Sequence, residues 1–397
     1  MTKPIDITKA RSETRHCEET IHFNNAGSSL MPTKVSDVLH QFLESEERIG
    51  GYETAEREWL VLDQFYRSVG QLLNCHPSEV AFVENATRAW GMAFYSLKFR
   101  PGDRILTTFS EYGSNVIAYL QQARRSGVSI DFVPNDEYGQ IDVRALENMI
   151  DERVKLISIS HIPTGNGLVN PARAVGRVAK AAGITYLLDS CQGVGQVPLD
   201  VQAIGCDLLS GTGRKYLRGP RGTGFLYVSK RIVDSIEPIL LDQHAARLID
   251  PNHYEIRSDA KRFENWEQFF AGKAALSSAI AYALDWGIEN IERRIIDLAT
   301  QLRIGLGSID GIRVMDYGRQ KCGIVTFDVS PISADRVRVF LARKKINVAI
   351  SSGDGNFLLF EKMGLKEVVR ASVHYFNTEF EIDRFISTVD ECLRLDS

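Results

Sequence analysis

The chain has 397 residues, 44% hydrophobic and 25% charged, with 47 Lys and Arg against 51 Asp and Glu for a formal charge of −4. Those proportions belong to an ordinary globular chain and exclude a disordered, collagen-like or disulfide-stapled one. The slightly acidic balance argues against nucleic acid or an anionic membrane as a partner, and no window approaches the roughly 18 apolar residues of a spanning helix.

Residues 1–20 are read as an N-terminal segment; residues 1–19 are polar and lack the apolar core of a secretory signal. From 21 to 272 a large domain is expected. Apolar runs at 80–83, 104–108, 130–133, 156–160, 185–188, 207–210 and 224–228 are largely continuous, as in strands buried on both faces. Helical periodicity lies between them, over 111–126 before Gly127 and over 175–182 before Gly183. The alternation predicts an α/β fold with a mostly parallel seven-stranded sheet and helices on both faces. The charged, loop-rich stretch 242–265 is read as a crossing segment at a subunit interface. A smaller C-terminal α/β domain is expected over 273–397: one or two long helices over 273–307, a strand at 323–329, a helix at 334–344, strands at 347–350 and 369–374, and a closing helix at 379–395. Cysteines at 17, 75, 191, 206, 322 and 392 form no CxxC, and no His stands at zinc-finger spacing. They are read as reduced thiols of a cytoplasmic protein without a metal site.

The densest chemistry lies in 185–228. One apolar run ends in Asp189; another ends in a small polar segment directly before Arg214 and Lys215. In parallel α/β sheets ligands bind outside the carboxyl ends of the strands, so Asp189 and Lys215, 215 − 189 = 26 residues apart, are placed at one site. An amine and a carboxylate there suit pyridoxal 5′-phosphate. The lysine carries the aldehyde as a Schiff base, and the acid keeps the pyridine nitrogen protonated so that the ring accepts electrons. Asn85-Ala86-Thr87, after an apolar run and before a helix, presents free N–H groups to a phosphate. A dinucleotide site is excluded because Gly193-Val194-Gly195 lacks its third glycine, and a P-loop because Tyr216 follows Lys215.

These segments, with His22-Phe-Asn-Asn-Ala-Gly27 and Arg370-Ala-Ser372, resemble the class V aminotransferase family of fold-type I pyridoxal-phosphate enzymes. That family includes cysteine desulfurases, isopenicillin N epimerase and hercynylcysteine sulfoxide lyase. The resemblance implies that Lys215 is the Schiff-base lysine, Asp189 the acid on the pyridine nitrogen and Gln192 the partner of the phenolic oxygen. It places Ala86, Thr87, Thr212 and Arg214 at the phosphate, Tyr112 where relatives stack a His on the ring, and Thr164 where desulfurases have Asn. Arg370 is implied as the clamp on the substrate's α-carboxylate, and Asn24 and Asn25 approach the substrate. The resemblance also implies an amino-acid substrate and a homodimer with its site at the interface, residues 262–267 reaching the partner's phosphate. Desulfurases carry a nucleophilic cysteine in a mobile loop shortly before the carboxylate arginine. Residues 351–360 contain none, and alternation turns Cys191 into the core as an inert thiol. Carbon–sulfur cleavage by β-elimination is therefore ranked first, aminotransfer or epimerisation second, and desulfuration last.

Overall fold

A computed structural model describes residues 4–395. The first three residues of the expected N-terminal segment and the last two of the C-terminal domain lie outside the described residues. In chain order the strands are β1 (Ile21–His22), β2 (Val80–Val83), β3 (Arg104–Thr108), β4 (Ser129–Val133), β5 (Val154–Ser160), β6 (Thr185–Asp189), β7 (Leu208–Thr212), β8 (Gly224–Val228), β9 (Ala246–Asp250), β10 (His253–Ile256), β11 (Arg313–Val314), β12 (Ile324–Asp328), β13 (Ile346–Asn347), β14 (Ala349–Ser352) and β15 (Glu367–Ser372).

The large sheet has seven strands in the order β2-β8-β7-β6-β5-β3-β4. Neighbours are parallel except at β8, which is antiparallel to both β2 and β7. The mostly parallel, seven-stranded sheet expected from the apolar runs is present. β2, β7 and β8 are buried along their whole lengths, and β6 nearly so, because helices cover both faces. Two of those helices, Gly113–Ser126 and Ala172–Ala182, end where expected, on Gly127 and Gly183 at φ 71° and 67°. Glycine, with no Cβ, adopts that left-handed cap at little steric cost.

The expected division at residue 272 falls inside the helix Phe270–Trp286. That helix is apolar nearly all round, so it buries on every side. It lies against the helices Thr33–Ile49 and Trp59–Leu73 of the large domain. The break comes at Gly287, φ 80°, before the helix Ile288–Gly307. The second sheet runs β11-β12-β15-β14 with every neighbouring pair antiparallel. The helix Ile7–Ser12 and β1 join this part of the molecule: β1 pairs with β13, and Arg11 forms an ion pair with Glu381 at 2.9 Å. The stretch read as a loop over 242–265 contains the hairpin β9–β10. Among the described residues no helix is long and apolar enough to cross a membrane, and no cluster of His, Cys, Asp and Glu could hold a metal ion.

Candidate active site

Strands β2 to β7 all end at one edge of the large sheet, and β8 starts there. The register places Ser160 beside Asp189 and Asp189 beside Ser210, with Gly224 between Val83 and Thr212. A side chain at 224 would not fit: its Cβ would lie 2.7 Å from the Gly211 carbonyl oxygen and 3.0 Å from Asn85 backbone carbon. The segments leaving this edge enclose a cavity of about 490 Å³, lined by Ala86, Thr87, Tyr112, Thr164, Asp189, Gln192, Thr212, Arg214 and Lys215 among others. Residues spread over 130 positions of sequence thus meet because five strand ends do.

Asp189 is buried and held by three donors. Its Oδ1 accepts from the Cys191 backbone N–H at 3.0 Å and from Ser210 Oγ at 3.3 Å; its Oδ2 accepts from Asn115 Nδ2 at 3.0 Å. Lys215 is also buried. Burial, with Arg214 and Arg370 close by, lowers its ammonium below the ordinary lysine range, which favours a neutral, nucleophilic amine. Gln192 donates to Ala26 O and Thr164 Oγ1, and its buried Oε1 has no protein partner. At the other end, Asn85 caps the helix Ala86–Tyr95 through Arg88 N–H at 2.9 Å. Ala86 and Thr87, in the first turn, line the cavity, and backbone N–H groups there have no intrahelical acceptor. Arg214 donates to Thr212 Oγ1 at 3.3 Å beside them.

Arg370, on β15, donates to Thr164 Oγ1, to Thr164 O at 3.3 Å and to Asn24 Oδ1 at 3.5 Å. Its buried Nε has no partner. Asn24 thus meets Arg370, whereas Asn25 does not. Asn25 is fully buried and spent on His22 O, Ser372 O and Ser29 Oγ, tying the N-terminal turn to β15. The region expected to be a mobile loop over 351–360 is instead the end of β14 and the kinked helix Gly353–Met363. This helix packs so closely that a Cβ on Gly165 would lie 2.9 Å from Asn356 Cγ. Within the segment 262–267, Trp266 is exposed, but two charged side chains are turned inward. Arg262 turns inward onto Val233 O and Ile236 O, and Glu264 is buried against Tyr66, the Phe82 N–H and Gln268.

Cys191 is not turned into the core. It sits on the turn beyond β6, where strand alternation no longer applies, and lines the cavity. Burial raises its thiol and the nearby Lys215 opposes that. Three polar groups at the site were missed in the sequence: Asn115, Ser160 and the Glu111 behind them. Only Asn115 carried a signal, one helical turn after Glu111. Arg218, fully buried at φ 59°, fixes the turn after Lys215 by donating to Leu30 O, Tyr375 Oη and Thr14 Oγ1.

The family model described as aminotransferase class-V matches residues 21–385. A probable cysteine desulfurase of Synechocystis sp. is 29% identical over 390 residues, covering 94% of this chain and 91% of the relative. Another, of Methanothermobacter thermautotrophicus, is 30% identical over 346 residues, 86% of each chain. Among solved structures, the apo cysteine desulfurase of Thermococcus onnurineus NA1 shares the fold with a TM-score of 0.92 at 23% identity, over 99% of this chain and 100% of the other. The cystine C–S lyase C-DES, in complex with its reaction product cysteine persulfide, has a TM-score of 0.85 at 20% identity, over 94% and 98%.

Proposed function

Because the chain belongs to the class-V aminotransferase family, we propose that it is a pyridoxal-phosphate enzyme that cleaves the carbon–sulfur bond of a cysteine-type amino acid. The observation that carries this reading is the convergence of Lys215, Asp189 and Gln192 on one cavity that Thr164 also lines, with Arg370 donating to Thr164. The residues fit the cofactor: a cavity of about 490 Å³ is within the range of small-ligand sites, and the Gln192 amide leaves one buried end for the ring's phenolic oxygen. The N–H groups of the first turn at Ala86 and Thr87, with Thr212 and Arg214, would hold the phosphate, and Asp189 would hold the proton of the ring nitrogen. Bound there, the cofactor supplies an electron sink for charge developing at Cα.

Lys215 would hold the cofactor covalently. As a free amine at the cavity, its Nζ would be the base that takes the proton from Cα. Arg370 faces the α-carboxylate with a planar pair of donors. Arg370→Lys keeps the charge but loses that geometry. The expected result is a KM raised about tenfold or more, one charge-assisted hydrogen bond being worth roughly 1.5–3 kcal/mol, with the cofactor's absorption band unchanged. A bleached band with an unchanged KM would assign Arg370 to the cofactor instead.

The names of the curated relatives support desulfuration, ranked last in the sequence, over aminotransfer and epimerisation. Two fates of sulfur then compete. In elimination it leaves as sulfide with pyruvate and ammonia; in desulfuration a protein thiol takes it and alanine is released. Elimination is favoured because the helix Gly353–Met363 carries no cysteine and because burial raises the Cys191 thiol, which keeps it from the nucleophilic thiolate form. Desulfuration is supported by the names of the curated relatives and by the position of Cys191 on the cavity wall. Product analysis with L-cysteine separates them. Pyruvate, ammonia and sulfide in equal amounts are expected, and Cys191→Ala retains them. Alanine with a persulfide on Cys191 would replace this reading with desulfuration.

We infer that the chain pairs with a second copy. Tyr52, Trp59, Leu60 and Trp266 are large apolar side chains left 66%, 58%, 59% and 56% exposed in the single chain, which burial against a partner would cover. A homodimer in sedimentation is expected; a stable monomer at micromolar concentration would contradict it.

A further inference from the structure

Behind Asp189 lies a second carboxyl group that the chemistry above does not use. Glu111 is 2% exposed. Its Oε1 accepts from Ser160 Oγ, from the Tyr112 backbone N–H at 2.9 Å and from Asn115 Nδ2 at 3.0 Å. Its Oε2 accepts from the Ser160 N–H at 3.0 Å and from Thr107 Oγ1 at 3.3 Å. The same Asn115 nitrogen donates to Asp189 Oδ2 at 3.0 Å, so one primary amide spends both of its hydrogens joining two buried carboxyl groups. No Lys or Arg forms an ion pair with Glu111 among the described residues. A buried carboxylate without a cation costs free energy that a neutral side chain avoids, so packing alone gives no reason for it.

We propose that Glu111 is a positioning residue that, through Asn115, holds Asp189 against the cofactor's ring nitrogen and biases the electronic state of the bound cofactor by its own charge. The proposal rests on the reading of Asp189 as the partner of that nitrogen. Among the described residues, the titratable groups that act on Glu111 are Asp189 at the end of β6 and Tyr119 on the helix Gly113–Ser126, whose hydroxyl donates to Ser158 at 2.8 Å. Burial, with Asp189 adding to it, pushes Glu111 up to about 7. Above that pH a second negative charge stands behind Asp189, and a like charge nearby strengthens a carboxylate's hold on a proton. Asp189 then grips the ring-nitrogen proton more firmly. Below it the extra charge is gone and the grip relaxes.

The test is a pH titration of the holoenzyme's absorption band, with kcat and KM measured alongside. The wild type is expected to show a transition near pH 7. Glu111→Gln, which keeps the shape and removes the charge, should lose that transition and lower kcat about tenfold with KM unchanged, in line with the roughly 10- to 100-fold cost of losing outer partners in metal sites. Asn115→Ala severs the bridge while leaving Glu111 in place. It should lower kcat similarly, so the proposal stays open to refutation if the Glu111 variant does not fold. A folded Glu111→Gln with the wild-type transition, or an Asn115→Ala enzyme with wild-type kcat, overturns it. Asp189→Asn is the control. If that change leaves the band untouched, the reading of Asp189 itself falls; if it alters the band and the Glu111 and Asn115 variants do not, only the present inference falls.

Discussion

Lys215→Ala is expected to abolish turnover while leaving a folded protein. The side chain faces the cavity, so its loss takes nothing from the hydrophobic clusters on either side of the sheet. Two functions disappear together: the covalent hold on the cofactor and the base at Cα. Loss of a general base alone costs about 10²–10⁴ in rate, and loss of the tether adds to it. The phosphate end, built from Ala86, Thr87, Thr212 and Arg214, remains, so the variant still binds the cofactor non-covalently. Its absorption band is displaced from that of the wild type, as expected for the free aldehyde. Residual turnover within tenfold of wild type would mean that another amine does this work.

Asp189→Asn has the second-largest expected effect. The neutral amide keeps the size of the side chain, and its oxygen can still accept from the Cys191 N–H and Ser210 Oγ, now found at 3.0 and 3.3 Å. Its NH₂ end, however, meets the Asn115 donor now at 3.0 Å, and it cannot hold the proton of the ring nitrogen. Removing one electrostatic stabiliser of developing charge costs about 10²–10³ in rate. A thermal midpoint within a few degrees of wild type with kcat reduced by that factor is the expected pair of results. Activity within a few-fold of wild type would remove Asp189 from the ring nitrogen.

Much of the site was legible before the fold. The strands buried on both faces left continuous apolar runs. The rule that ligands bind at strand carboxyl ends then joined Asp189 to Lys215, and the helix that starts after Asn85 marked the phosphate end. The nine residues expected around the cofactor line one cavity because each ends or follows a strand that stops at the same edge. The failures share a physical cause: local patterns do not report which buried surface a polar group meets. Glu111 and Asn115 read locally as the polar start of a surface helix, and only the neighbouring β5 brings Ser160 onto Glu111. Cys191 was placed by strand alternation at a position already past the strand. Gly353 and Gly355 disguised the start of a helix as a loop, and Asn25, Arg262 and Glu264 were assigned outward roles although their side chains are consumed internally. The division at 272 was drawn where the pattern became strongly helical, but a helix apolar on all sides continues the domain it buries into.

The central claim, that this cavity holds pyridoxal phosphate on Lys215, is tested most directly by reducing the purified holoenzyme with borohydride and mapping the modified peptide by mass spectrometry. The account predicts a single adduct, on the peptide that contains Lys215. An adduct on any other lysine, or none on a protein carrying its full complement of cofactor, would contradict it.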